Sequence, residues 1–100
     1  MAAAYRLFRH LGIAEGTIYA TNPTTITGKH WEALEENVEK MGEALGELAA
    51  CDPELPADKL ERLLARVRDA VRKKSYWDAW STVDDLRFYL ELEYSKKGLK

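Results

Sequence analysis

The sequence predicts a mainly α fold: a three-helix antiparallel bundle with a short N-terminal helix and an extended or β-hairpin arm. Three observations carry this. Apolar residues from Trp31 to Leu48 recur at the spacing of a helix seam. Two breaks, "CDPELPADK" and "KKSY", divide the C-terminal half of the chain into two more helical stretches. β-Branched residues concentrate between Ile18 and Thr27. One hundred residues support one core and not two. The chain therefore reads as a single helical domain, with residues 1–28 as N-terminal helix and arm and 29–98 as the three-helix core.

Residues 3–11 read as the short helix, with Tyr5, Leu7, Phe8 and Leu11 turned inward and Gly12 as its stop. The same start carries Arg6 and Arg9 and no acid before Glu15, a pattern also found in organelle-targeting segments; packing is the preferred reading. "IAEGTIYATNPTTITGKH" then changes character. Asn22-Pro23 marks a turn, because the residue before proline avoids the helical region. Ile18 and the Thr24–Thr27 run suit two short strands or one extended arm. A lone hairpin is marginal in water, so it must lean on helices or on another chain.

Trp31, Leu34, Val38, Met41, Leu45 and Leu48 are spaced alternately three and four apart, which is the seam of a helix packed on another helix. Gly42 and Gly46 flank it and imply a close neighbouring backbone, since each costs about 1 kcal/mol relative to alanine. Pro53 and Pro56 separate this helix from the next, with Pro56 suited to a first turn and Asp58 to the positive helix end. The next helix places Leu60, Leu63, Leu64, Val67, Ala70 and Val71 on one face. Ser75 and Asp78 form a capping-box pattern before a last helix from Tyr76 to Lys96, with Gly98 as terminator. Short connections make these helices antiparallel neighbours.

Tyr76, Ala79, Val83 and Leu86 stand at a spacing that resembles the second helix of a tetratricopeptide-type hairpin. Arg66 stands where that pattern places a large apolar residue, and no period of about 34 residues recurs. The resemblance implies helix-hairpin packing and nothing further.

The function classes narrow by exclusion. Lys and Arg total 15 against 17 Asp and Glu, a net charge of −2, which gives no global attraction to nucleic acid or membrane. The single Cys51 forms no internal disulfide and fits a reducing, cytoplasmic setting, with a buried or half-buried thiol. No apolar run reaches membrane-spanning length. No phosphate-binding glycine loop and no zinc-type Cys or His pairing is present. His10 and His30 read as surface or helix-end residues. No enzymatic activity, cofactor, metal or catalytic residue is predicted.

Glu32, Glu35, Glu36, Glu39, Glu43 and Glu47 make an acidic face beside the first seam, read as solvated. Lys59, Arg62, Arg66 and Lys73 recur opposite the apolar face of the next helix. They form a candidate anion-binding stripe, short and broken by Asp69. The last helix is the most distinctive. Tyr76, Ala79, Trp80, Val83, Leu86, Leu90 and Tyr94 make one broad face, while Trp77, Phe88 and Leu92 gather about 140° away and Tyr89 falls on another side. Arg87 borders the main face within reach of Asp84 and Glu91, with a ligand carboxylate or phosphate as its alternative partner. A helix apolar on two faces must be sandwiched. The cover is the N-terminal segment, a second copy, or another protein. The expected function is a non-catalytic protein–protein interaction module (subunit, adaptor or inhibitor) using Trp77, Phe88, Tyr89 and Leu92. The alternative is a nucleic-acid accessory protein using Lys59, Arg62, Arg66 and Lys73.

Overall fold

The computed structural model describes residues 2–96 as four α-helices and, among those residues, no strand: α1 (Ala2–Tyr19), α2 (Gly28–Cys51), α3 (Ala57–Arg72) and α4 (Tyr76–Lys96). They alternate in direction and pack in a ring, α1 on α2, α2 on α3, α3 on α4 and α4 back on α1. The bundle measures 41 × 20 × 20 Å. Its long axis follows from α2, whose 24 residues span about 36 Å at the α-helical rise.

The three-helix core becomes four because α1 does not stop at Gly12. Ala4, Leu7, Leu11, Ala14 and Ile18 are all buried, and their alternating three-and-four spacing carries one stripe through both Gly12 and Gly16. Two of those five positions are alanine, which makes the stripe inconspicuous in sequence. Phe8 packs on the core as expected, whereas Tyr5 points to solvent.

The expected arm is instead a helix–helix loop over residues 20–27. Asn22 organises it as a turn, as the Asn-Pro signal indicates. Its side-chain oxygen accepts from the Thr24 and Thr25 amides at 2.8 and 3.1 Å, and its carbonyl accepts from the Thr25 and Ile26 amides at 3.0 Å. These bonds satisfy the backbone locally, so the β-branched threonines need no partner strand. Thr27 then caps α2. Its hydroxyl accepts from the His30 amide while the His30 ring nitrogen accepts from the Thr27 amide at 2.9 Å, a reciprocal capping box with histidine as the returning partner.

All six seam residues of α2 are buried, joined by Ala44. No backbone approaches its glycines. A Cβ at Gly42 would meet only side-chain atoms of Arg68 and Leu64, and one at Gly46 would meet nothing within 4 Å. Pro56 stands just before α3, at its N-cap position rather than in the first turn, and makes no side-chain capping bond, while Asp58 lies in the first turn as expected. Leu55, in the same connection, is buried as a plug.

Helix α3 ends in a Schellman turn: the Ser75 amide donates to the Ala70 carbonyl and the Lys74 amide to the Val71 carbonyl, both at 3.0 Å. Lys74 occupies the left-handed position with φ 56°, where glycine is usual. Ser75 then hydrogen-bonds Asp78 side chain to side chain at 2.9 Å. Gly98, the expected terminator of α4, lies outside the described residues.

Candidate interaction surface

Helix α4 is held on three sides. Its broad face is buried as expected at Tyr76, Ala79, Val83, Leu86, Leu90 and Tyr94. Trp80 departs from that set: it sits at the edge, stacked at a tilt on Tyr19 with ring centroids 5.4 Å apart. Toward α1, Phe8 meets Tyr94 edge to face at 5.5 Å, and the Tyr76 hydroxyl is shared between the carbonyls of Ile18, in the last turn of α1, and Thr21, just beyond it. The Ile18 carbonyl also accepts from the Thr21 amide and hydroxyl, at 3.2 and 3.1 Å, so Tyr76 joins a local closure of the helix end. Toward α3, the Lys59 ammonium sits 4.6 Å over the Tyr89 ring, and Tyr89 packs on the core margin.

Arg87 is anchored across the bundle. Its Nε donates to both carboxylate oxygens of Glu15 at 3.0 and 3.1 Å, and Nη2 also bonds Glu15. Glu91 stands 3.7 Å away as a second acid, and the guanidinium lies 5.7 Å over Phe8. The helical neighbour Asp84 takes no part; the main partner is Glu15, supplied by the part of α1 that was expected to be arm. The hydrogen bonds that Arg87 donates to Glu15 raise its already high pKa against the opposing effect of burial. Burial, with the nearby Glu15 and Asp84 carboxylates, holds the Tyr19 phenol above its ordinary value. With two acids on it, Arg87 has little capacity left for a ligand anion.

The fourth side of α4 is open. At 100° per residue, Trp77, Ser81, Asp84, Phe88, Glu91, Leu92 and Ser95 share one stripe about 100° wide, and every one of them is exposed. Trp77 retains 65% of its surface, Phe88 68% and Leu92 41%. Trp77 rests only edge-on against the Tyr76 ring at 5.0 Å. Helix α1 leaves this face open: its ring and polar contacts with α4 fall on Tyr76, Trp80, Arg87 and Tyr94. Phe88, Leu92, Arg87, Tyr94 and Phe8 border a groove of about 700 Å3 at the C-terminal end of α4.

The α3 stripe is dispersed by comparison. Lys59, Arg62 and Arg66 border a shallow hollow that also contains Asp69, and Lys73 is paired with Asp69 at 3.0 Å. On α2 the glutamates are exposed. Glu47 bonds Arg6 of α1, which holds its carboxyl below the ordinary carboxylate range. His10 bonds Asn37 at 2.9 Å. Cys51 is exposed at the end of α2, rather than buried. Among the described residues no group of three His, Cys, Asp or Glu is placed to hold a metal ion, and no helix is long and apolar enough to cross a membrane.

Comparison with protein-family models, with curated proteins and with solved structures finds no match for this chain.

Proposed function

We propose that the chain is a non-catalytic protein–protein interaction module, a subunit, adaptor or inhibitor that works by presenting the open stripe of α4. The observation that carries this is the exposure of Trp77 and Phe88 on one stripe of a helix whose other sides are packed. With Leu92 they offer on the order of 300 Å2 of apolar surface, the size of the largest patch on an ordinary monomer, and such patches are often functional. Tryptophan is enriched among the residues that dominate binding energy. Tyr89, half-buried under Lys59, supports the α3 edge of the stripe.

Trp77→Ala tests the reading. The variant is expected to keep its melting temperature within a few degrees, because little of the indole is buried, and to lose association with a partner or a second copy in sedimentation experiments. A large fall in melting temperature with no change in association would make Trp77 an ordinary structural residue. The rival reading, nucleic-acid binding through Lys59, Arg62, Arg66 and Lys73, rests on the hollow that the first three border on α3. A gel shift at low salt tests it, and absence of retardation removes it.

A further inference from the structure

The open stripe is acidic as well as aromatic, and its charges select among occupants. Asp84 lies within it between Trp77 and Phe88, Glu91 lies beside Leu92, and Asp78 and Asp85 follow its α3 edge. The one cation described on α4 between Tyr76 and Ser95, Arg87, is spent on Glu15 and Glu91. Asp84 and Asp85 make no ion pair among the described residues.

We infer that this stripe receives a basic amphipathic helix from another protein, its apolar residues on Trp77, Phe88 and Leu92 and its lysines or arginines against Asp84 and Asp85. This rests on the proposed interaction role and names its partner by chemistry. The pattern matches helix-on-helix recognition, in which apolar anchors recur at helical spacing and flanking charges set specificity.

A second copy fits less well, for a geometric reason. An antiparallel twofold arrangement that buries all three apolar side chains maps Trp77 onto Leu92. The axis then passes between residues 84 and 85, where Asp84 and Asp85 of both copies converge. A parallel arrangement also sets Asp84 against its own copy. Like charges so placed oppose association.

The test uses two labelled synthetic helical peptides about 18 residues long, enough to lie along α4. Both carry leucine on one face; one has lysine and the other glutamate elsewhere. Anisotropy titrations with the full chain are expected to show the lysine peptide binding at least about tenfold more tightly, with affinity falling as salt rises. Trp77→Ala and Phe88→Ala should each weaken it about tenfold, with circular dichroism confirming the fold. Asp84→Lys combined with Asp85→Lys should reverse the preference. Equal binding of the two peptides, or a preference for the glutamate peptide, overturns the basic partner. So does binding of the lysine peptide that ignores Trp77→Ala and Phe88→Ala, which would place it on other acids such as the α2 face. A dimer in sedimentation that Trp77→Ala dissolves overturns it in favour of a second copy and leaves the interaction role standing. If neither peptide binding nor self-association responds to Trp77→Ala, both readings fail together.

Discussion

Arg87 of α4 and Glu15 of α1, 72 residues apart in the chain, form a two-pronged ion pair that is largely withdrawn from water, with 25% and 14% of their side-chain surface left exposed. Neither partner is on the buried stripe of its helix. The pair instead closes the edge where α1 meets α4, with the guanidinium over the Phe8 ring.

Removing one member should cost more than removing both. Arg87→Met leaves the mostly enclosed Glu15 carboxylate without its donor and is expected to destabilise the chain by about 2 kcal/mol. The double variant with Glu15→Gln should recover part of that loss. Urea unfolding of the four members of the cycle measures the coupling.

Tyr76→Phe isolates the tertiary cap. It keeps the ring and removes only the hydroxyl that bonds the Ile18 and Thr21 carbonyls. A loss of about 1 kcal/mol is expected. Hydrogen exchange should accelerate most in the last turn of α1, since that end lacks any basic side chain to compensate. Uniform acceleration across all four helices would instead mean that the bond does not act locally.

Two substitutions should raise stability. Lys74→Gly relieves a side chain from a left-handed backbone position and is expected to contribute about 1 kcal/mol. Gly46→Ala places a methyl group in open space on α2 and should contribute a similar amount through helix propensity. They are at separate sites, so the melting-temperature gains should add.

Acid should weaken the Arg6–Glu47 bridge. Glu47 titrates below its ordinary value in the folded chain because Arg6 bonds its charged form. Its contribution is present above the unfolded-state pKa and is lost as pH falls through the lower, folded-state value. Glu47→Gln should therefore flatten part of the acid limb of a stability–pH profile while leaving the neutral-to-alkaline side parallel to the parent. An unchanged acid limb would show that the bridge does not form in solution.

Residue order alone was enough to read three of the four helices and the breaks between them, but not the length of α1 or the helical state of residues 12–19. Alternating spacing from Trp31 to Leu48 and from Leu60 to Val71 defined buried faces. Asn22-Pro23, Pro53 with Pro56, and the lysine pair before Ser75 located the three connections. The doubling of apolar faces on α4 was likewise visible, because helical periodicity is a direct property of the order of residues. Which neighbours satisfy those faces was a matter for long-range packing. Whether α1 ends at Gly12 or continues to Tyr19 depends on energies of about 1 kcal/mol per glycine. Those are outweighed by burial of Ala14 and Ile18, the Tyr76 cap and the Glu15–Arg87 pair, all of which involve residues distant in the chain. The same long-range placement brought α1 to one edge of α4 and left the Trp77–Phe88–Leu92 stripe uncovered, a result that spacing within a single helix does not contain.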